Sequence, residues 1–247
     1  MNSYPEPLTP NSVVGPDEFF RMPDEYKALL VHQMKVHTEG EATGADDYAK
    51  IFYHLTKDPY EKMLCCKLAA EEMNHHIMGV EVLKAIDVDV SYMAHLDMQD
   101  RKLFDTEVVK RIDTWTERGF FGFLSEAAAY AQIEEFGHSS YKPISEMAAS
   151  ILRDEKGHIA HGFRIIRDLC KTEEGKAEAQ AALTRMWPAT LDLFGRSDSK
   201  RSAAYVRWGL RRLRNGDARQ RYAERTRPKL EKLGLHAPDN MANRKFV

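Results

Sequence analysis

The pattern of apolar and polar positions is helical along most of the chain. Segments rich in Ala, Leu, Met, Glu, Lys and Arg recur, and glycine and proline stand mostly between them. No segment of four to eight residues shows the sustained alternation of a β-strand bounded by turns. Four long helices are predicted: helix A over residues 24–43, helix B over 58–86, helix C over 114–141 and helix D over 144–170. The sequence therefore predicts an all-α fold.

Shorter elements surround these four helices. They are a helical piece over 46–55, a linker with short helical segments over 87–113, a helix over 173–193, a break over 195–198, a basic helix over 200–214 and a short helix ending near 233–234. Three regions are expected: an N-terminal extension (1–23), a four-helix bundle (24–170) and a C-terminal helical extension with a basic segment (171–247).

Composition places the chain among ordinary soluble globular proteins, with 43% hydrophobic and 30% charged residues. At 247 residues it can bury a sizeable core, and one domain with extensions is the simplest organisation. No apolar run approaches the roughly 18 residues that a membrane span needs. The N-terminus is polar and carries prolines rather than the charged-then-apolar layout of a signal peptide. We expect a cytoplasmic protein without membrane contact.

Cysteine usage excludes some redox chemistry. The chain has three cysteines, too few for a four-thiolate iron–sulfur centre. It has no glycine-rich nucleotide-binding loop of the GxGxxG or Walker type. If the protein has a redox role, its electrons must therefore come from elsewhere.

Two Glu-x-x-His motifs carry the candidate chemistry: Glu72 with His75 in helix B, and Glu155 with His158 in helix D. Residues three apart project from one helix face, so each pair can reach one metal ion. In carboxylate-bridged dimetal bundles, the two other helices each add one glutamate. Here these are Glu41 in helix A and Glu126 in helix C.

The spacing of these residues supports a ferritin-like bundle. Glu41 lies 31 residues before Glu72, and Glu126 lies 29 residues before Glu155. Two helical hairpins of nearly equal size would bring each pair to one level of the bundle. The predicted fold class is thus an all-α, ferritin-like four-helix bundle with additional C-terminal helices.

Not every acidic residue near these positions fits. A third Glu-x-x-His, Glu135 with His138, starts nine residues after Glu126, about 180° around the helix. It is therefore predicted to face outward, as a polar surface pair or a partner contact. On helix A, Glu41 shares a face with His37, whereas Glu39 lies about 200° away.

The residues that precede the two motifs are acidic as well. Glu71 and Asp154 are placed to accept the free imidazole N–H of a ligand histidine and so fix its tautomer. The alternative is that both are ordinary acids on a helix surface. The mixed nitrogen and oxygen donor set suits iron or manganese better than a structural zinc ion.

Positive charge is concentrated near the C-terminus. Residues 196–229 contain twelve Lys/Arg against three acids, although the whole chain carries a net charge of only −2. Arg207, Arg211 and Arg214 recur at helical spacing, which predicts one basic face. That face would bind an anion such as a CoA phosphate, bind an acidic partner surface, or be solvated. No nucleic-acid role is predicted, because stacking aromatics are not interleaved with the arginines.

These motifs, together with others outside the candidate metal site, resemble those of a known family. The chain resembles the catalytic alpha subunits of bacterial ring-1,2-phenylacetyl-CoA epoxidases, which are multicomponent diiron monooxygenases. The resemblance is carried by HTEGEATG (37–44), EEMNHH (71–76), FLSEAAA (123–129), DEKGHIAHG (154–162), MWPATLDLFG (186–195), WGLRRLRNGDARQRY (208–222) and LGLHAPD (233–239).

The resemblance implies a site, a reaction and partners. The implied iron ligands are Glu41, Glu72, His75, Glu126, Glu155 and His158. Two iron ions and O2 would transfer one oxygen atom to an aromatic CoA thioester. Electrons would come from an external NAD(P)H-dependent reductase, and a non-catalytic sister subunit is expected. Position 126 departs from the family pattern, which has aspartate where this chain has glutamate.

Two other hypotheses fit the same residues. One is a related diiron oxygenase acting on another small molecule in a biosynthetic pathway, by ring or N-oxygenation. The other is a ferritin-like iron-handling or structural subunit without oxygenase turnover. The oligomeric state, including association of identical chains, is not fixed by the sequence.

Overall fold

The computed structural model describes residues 13–101 and 111–246. Within these ranges the chain is helical, with one isolated bridge between Val14 and Tyr141 and no extended strand. The α-helices are α1 (Pro16–Phe19), α2 (Asp24–Asp46), α3 (Tyr53–Leu55), α4 (Pro59–Lys84), α5 (Trp115–Phe120), α6 (Glu126–Phe136), α7 (Lys142–Leu169), α8 (Glu173–Asp192), α9 (Lys200–Arg207) and α10 (Asn215–Glu231). The all-α ferritin-like prediction is confirmed.

Two π-helical segments are built into the bundle. Asp47–Phe52 joins α2 to α3, and Phe121–Ser125 joins α5 to α6. Each joined element is therefore one continuous helix with a widened turn. Such turns are rare and often lie at functional sites. In the linker after α4, Ser91–His95 and Met98–Asp100 form short 3-10 turns, and residues 102–110 lie outside the described part.

The four bundle helices form two hairpins. α2 packs along α4, the helix formed by α5, its π segment and α6 packs along α7, and α4 meets α7 between the hairpins. α4 begins where predicted, because Asp58 caps it by accepting a hydrogen bond from the backbone N–H of Tyr60 at 2.8 Å. No described helix is long and apolar enough to cross a membrane.

The predicted bounds of helices A, C and D were wrong in part. Helix A does not stop at residue 43 but continues through the first π segment to Leu55, since Gly44 lies inside the helix without ending it and no proline follows before Leu55. Helix C ends at Phe136 rather than at 141, just before Gly137. Helix D begins at Lys142 and includes Pro143 in its first turn. Proline is tolerated there because backbone N–H groups of the first turn have no partner within the helix.

The C-terminal helices share the core of the bundle. α8 packs on α5, and α10 packs on α6. Trp187 of α8 is fully buried and stacks on Tyr222 of α10 with the ring centroids 6.0 Å apart. The Tyr222 hydroxyl donates to the backbone carbonyl of Leu124 in the second π segment at 3.0 Å. These contacts brace the helix that carries Glu126.

The predicted basic helix over 200–214 begins at Lys200 as predicted, but its predicted end was wrong. α9 ends at Arg207, and Gly209 adopts a left-handed conformation (φ 66°) that favours glycine and ends the helix. The chain then runs without helix to α10, which at 17 residues is longer than predicted. Arg207, Arg211 and Arg214 therefore do not share a helix face.

Glu135 is buried, contrary to the prediction that it lies on the surface. Its carboxylate accepts hydrogen bonds from the backbone N–H groups of Arg212 at 2.7 Å and Leu213 at 2.9 Å. The Arg212 guanidinium adds a bond at 3.2 Å. The helical phase did place Glu135 away from the metal-ligand candidates. It could not show that the segment after Gly209 covers that side of α6. His138 is exposed, as predicted.

Removing the Glu135 carboxylate should lower stability without affecting metal binding. Glu135→Ala leaves two part-buried backbone donors and the Arg212 guanidinium without their carboxylate, so we expect a loss of roughly 1–3 kcal/mol in the free energy of unfolding. His138→Ala, at an exposed position of the same motif, should change it by less than about 0.5 kcal/mol. Denaturant unfolding of the two variants checks this, and equal stabilities would contradict the anchoring role of Glu135.

Candidate metal centre

The six candidate ligands come together in the middle of the bundle. Glu41 lies on α2, Glu72 and His75 on α4, Glu126 at the start of α6, and Glu155 and His158 on α7. All six side chains are buried. Their donor atoms form two groups, each with its atoms within 4.8 Å of one another: Glu41, Glu72, His75 and Glu155, and Glu72, Glu126, Glu155 and His158.

Glu72 and Glu155 belong to both groups. Each group adds one histidine and one further glutamate, so the arrangement is symmetric about the two shared carboxylates. A carboxylate has two oxygens and can bridge two cations, whereas one ion alone would not explain the duplication. The geometry thus fits a pair of metal ions bridged by Glu72 and Glu155.

Both histidines point Nδ1 into the cluster. His75 Nδ1 lies 3.4 Å from Glu41 Oε2 and 3.7 Å from Glu155 Oε1. His158 Nδ1 lies 2.9 Å from Glu72 Oε1 and 4.0 Å from Glu155 Oε1. The two rings are stacked, with centroids 6.2 Å apart.

Their other ring nitrogens are held by the acids that precede the motifs. His75 Nε2 lies 3.3 Å from Asp154 Oδ2, and His158 Nε2 lies 3.1 Å from Glu71 Oε2. The contacts cross over, because the acid of each helix binds the histidine of the other helix. A proton on Nε2 leaves the Nδ1 lone pair free for a metal.

Several buried atoms of the cluster lack a hydrogen-bond partner among the described residues. They are His75 Nδ1, His158 Nδ1, Glu72 Oε1 and Glu155 Oε2. The short approach of His158 Nδ1 to Glu72 Oε1 does not have the angles of a hydrogen bond. Leaving a buried polar atom unpaired costs roughly 1–3 kcal/mol. Cations bound to these atoms would remove that cost, so the residues fit a metal centre.

The charges of the cluster also favour bound cations. Burial raises the pKa of Glu41 and of Glu155 well above the usual range, and the negative charge of Glu72 raises both further. The same two causes raise the pKa of Glu126 to about 7. Burial opposes protonation of His75, but the carboxylates of Glu41 and Glu72 raise its pKa to about 11. Without metal, the four glutamates therefore share protons. Two divalent cations would balance four carboxylate charges.

The π segments supply neighbours that sequence reasoning missed. The Tyr48 hydroxyl donates to Glu126 Oε1 at 2.9 Å, and its ring lies against His158 with centroids 6.0 Å apart. Asp47 is buried, and neither carboxylate oxygen has a hydrogen-bond partner among the described residues. Tyr48 lies seven residues after Glu41, on nearly the same face of a regular helix, so helical spacing could have indicated it, whereas Asp47, six residues after Glu41, carries no such signal.

A buried cation lies behind Tyr48. Arg118 is fully buried, with its guanidinium carbon 5.0 Å from the Tyr48 ring centroid. It donates to His161 Nδ1 at 3.0 Å, and His161 Nε2 lies 2.7 Å from Glu61. Burial, and then the charge of Arg118, lower the pKa of His161 to about 4, so this histidine is neutral near pH 7. No sequence motif signals this network.

A cavity of about 110 Å³ opens on the glutamate side of the cluster. Glu41, Glu72, Glu126 and Glu155 form one wall. The rest combines large apolar side chains (Phe121, Ile133, Phe136 and Leu193) with polar ones, among them Gln33 and Arg211.

Arg211 faces this cavity rather than solvent. Its guanidinium carbon lies 4.8 Å from the ring centroid of Tyr205 and 5.9 Å from that of Phe136. Its Nε is buried and has no hydrogen-bond partner among the described residues. Arg207, by contrast, is an exposed residue paired with Glu25 at 2.5 Å, and Arg214 is exposed at the start of α10.

Asp154 and Glu71 should matter for metal affinity although neither faces the cluster. Asp154→Ala or Glu71→Ala frees a histidine ring to rotate and change tautomer. We expect metal affinity to fall by about 10- to 100-fold. Arg153→Ala, at the exposed position next to Asp154, is the matched control and should bind metal normally. Competition with a chelator measures this, and unchanged affinity in all three variants would contradict the role of the two acids.

A four-helix bundle with two buried, carboxylate-bridged ligand groups defines the class of ferritin-like dimetal carboxylate proteins. Comparison with known sequences narrows this class. The chain belongs to the phenylacetic acid catabolic protein family, whose profile matches residues 27–245. It is 26% identical over 246 residues to a protein of Escherichia coli (strain K12) that is named as one subunit of the 1,2-phenylacetyl-CoA epoxidase, covering 96% of this chain and 76% of that protein.

Proposed function

We propose that the chain is the catalytic subunit of a diiron monooxygenase. Glu41, Glu72, His75, Glu126, Glu155 and His158 hold two iron ions, and one atom of O2 is inserted into a small organic substrate. The other oxygen atom leaves as water, which takes up two electrons and two protons. The observation that carries this proposal is the sharing of Glu72 and Glu155 between two ligand groups within 4.8 Å.

Iron is the metal that both suits this set of ligand atoms and can carry out this reaction. The ligands are nitrogen and oxygen atoms, without sulfur. Iron, when bound, supplies the O2 activation that amino-acid side chains cannot provide. The protein holds the metal ions in a buried site, orients the histidines through Asp154 and Glu71, and places the Tyr48 hydroxyl on Glu126.

The proposed substrate is an aromatic acyl-CoA thioester, whose ring is epoxidised. The relative from Escherichia coli is named for phenylacetyl-CoA, and the family is named for phenylacetic acid catabolism. The apolar wall of Phe121, Ile133, Phe136 and Leu193 suits an aromatic ring beside the metal ions. Arg211 and Gln33 supply donors for the thioester carbonyl at the same cavity.

Arg211 gives this substrate assignment a kinetic test. Arg211→Leu removes a charged donor from the cavity, so we expect the KM for phenylacetyl-CoA to rise by about 10- to 100-fold with a smaller change in kcat. Arg214→Ala, an exposed arginine three residues away, should leave both constants unchanged. Equal effects of the two substitutions would mean that Arg211 does not contact the substrate.

The chain needs an external source of electrons. Its cysteines do not form a cluster site, since Cys65 is buried, Cys66 is exposed and Cys170 lies at the end of α7. An NAD(P)H-dependent reductase with flavin and iron–sulfur centres therefore delivers the two electrons. A non-catalytic sister subunit completes the complex, which is supported by the name of the relative, since that name describes one subunit of a larger enzyme.

Rapid mixing of the anaerobic Fe(II) protein with O2 tests the oxygenase proposal. We expect two irons per chain and an O2 reaction that changes in rate when phenylacetyl-CoA is present. An iron-handling protein would instead take up many irons per chain in a large shell, which sizing would reveal. Iron uptake of that kind, with a rate indifferent to the thioester, would contradict the proposal.

A further inference from the structure

Asp47 is a buried acid that the metal centre does not use. It is the first residue of the first π segment, and only 1% of its surface is exposed. Neither carboxylate oxygen has a hydrogen-bond partner among the described residues, and Asp47 belongs to neither ligand group. A buried acid without a partner is costly, so its place in the cavity indicates what binds it.

The cavity runs lengthwise between α2 and α6. Tyr48 donates to Glu126 at 2.9 Å, and the rings of His37 and Phe136 lie with their centroids 5.2 Å apart. Tyr48 follows His37 along its helix, whereas Glu126 precedes Phe136, so the two helices run in opposite directions. The residues just after α2 therefore share one end of the cavity with the second π segment.

The two ends of the cavity differ. At one end lie Asp47, Phe121 and Ser125, all of them buried, and we call these three residues the closed end. At the other end lies Arg211, which is half-buried and packs against Phe136. The glutamates of the cluster line the cavity between the two ends. A substrate held by Arg211 therefore extends past the cluster towards Asp47.

The described donors around Asp47 bind elsewhere. Arg101 is a cation whose charge acts on Asp47, but its guanidinium donates to Asp46 at 2.6 Å. The hydroxyl of Tyr48, the next residue, donates to Glu126. The carboxyl of Asp47 is thus left for a group that enters the cavity.

A hydroxyl group is the partner that fits this position. Asp47 lies six residues after Glu41, about 9 Å along the helix. An aromatic ring beside the cluster, one ring substituent and the Asp47 side chain together span that distance. Burial, and then the charge of Glu126, raise the pKa of Asp47 well above its usual range. A hydroxyl donates to a carboxylate and accepts from a neutral carboxyl, so it pairs with Asp47 in either protonation state.

We propose that this chain takes a hydroxylated aromatic acyl thioester and that Asp47 binds the ring hydroxyl at the closed end of the cavity. The inference rests on the proposed function, in which Arg211 holds the thioester carbonyl and the ring lies beside the metal ions. Phenylacetyl-CoA enters the same cavity but leaves Asp47 unpaired. A site built to bond a hydroxyl rejects the analogue without it more strongly than an apolar pocket rejects a missing methylene.

Calorimetric titration of the iron-loaded protein without O2 tests this recognition apart from turnover. The probes are 3- and 4-hydroxyphenylacetyl-CoA, phenylacetyl-CoA and 4-methylphenylacetyl-CoA, whose methyl group matches the hydroxyl in size. We expect the better hydroxylated thioester to bind about 10- to 100-fold more tightly than the two thioesters without a hydroxyl. Equal affinities for the hydroxylated and methylated thioesters, or no binding of any of them, would overturn the proposal.

Substitutions of Asp47 assign the preference to this side chain. Asp47→Leu should abolish it, and Asp47→Asn, which keeps an acceptor, should retain part of it. Asp24→Leu, at an exposed acid of α2, should keep the preference of the parent chain. Both Asp47 variants should load two irons per chain, because Asp47 is in neither ligand group. A preference that survives in Asp47→Leu, or iron lost from that variant, would overturn the proposal.

The same thioesters separate this inference from the proposed function. With O2 and electrons supplied, the hydroxylated thioester should also be the better substrate for oxygen insertion. A binding preference that depends on Asp47, without oxygen insertion into any thioester, would contradict the monooxygenase and support the role of Asp47. Oxygen insertion that is indifferent to the hydroxyl would support the monooxygenase and overturn the role of Asp47.

Discussion

Glu72→Ala is expected to remove both irons and to reduce O2-dependent product formation to background. Glu72 belongs to both ligand groups. Burial would raise its pKa, but the imidazoles of His158 and His75 beside it lower the pKa below its usual range. It is therefore the carboxylate that stays ionised in the cluster. Without it, both ligand groups lose a member, so neither would hold its metal ion.

The control for Glu72→Ala comes from the third Glu-x-x-His of the chain. Glu135→Ala removes a buried glutamate from the same kind of motif, yet Glu135 contacts Arg212 and Leu213 instead of the cluster. Elemental analysis after anaerobic loading should find two irons per chain in Glu135→Ala and none in Glu72→Ala. Two tightly held irons in Glu72→Ala would show that the ligand assignment is wrong.

Gly162→Ala is expected to destabilise the fold by about 3 kcal/mol or more. A Cβ at position 162 would lie 2.3 Å from the backbone carbon of Gly122 and 2.3 Å from the backbone nitrogen of Phe123. Both belong to the second π segment, which cannot yield as a flexible side chain could. α7 would have to move away from the helix that carries Glu126.

Gly157→Ala is the matched substitution on the same helix. A Cβ at position 157 meets nothing within 4 Å, so alanine should stabilise the protein by about 0.5–1 kcal/mol through its helix propensity. Denaturant unfolding of the metal-free variants compares the two. If Gly162→Ala were as stable as Gly157→Ala, the close contact between α7 and the π segment would not exist in solution.

The ligand cluster could be predicted because it depends on local spacing. A separation of three residues places Glu72 with His75, and Glu155 with His158, on one face of any regular helix. Nearly equal hairpins then bring the four helices to one level. The same logic identified Asp154 and Glu71, although it could not show that each acid contacts the histidine of the other helix.

Departures from regular helix could not be predicted in this way. Tyr48 donates to Glu126 from within the π turn that follows α2, and no residue pattern in 47–52 announces that turn. Arg211 was assigned to a basic helix face, but Gly209 ends α9 first and the chain then carries Arg211 into the cavity. Helical phase directed Glu135 away from the ligand cluster, but the prediction that it lies on the surface was wrong, because only tertiary packing shows what covers it.

The most direct test of the diiron monooxygenase proposal is a single turnover with isotopically labelled O2. The Fe(II)-loaded protein is mixed with labelled O2 and phenylacetyl-CoA, and the thioester is analysed by mass spectrometry. The predicted result is one labelled oxygen atom in the aromatic acyl group, with none incorporated from labelled water. Iron oxidation at two irons per chain with no label in any thioester product would contradict the proposed function.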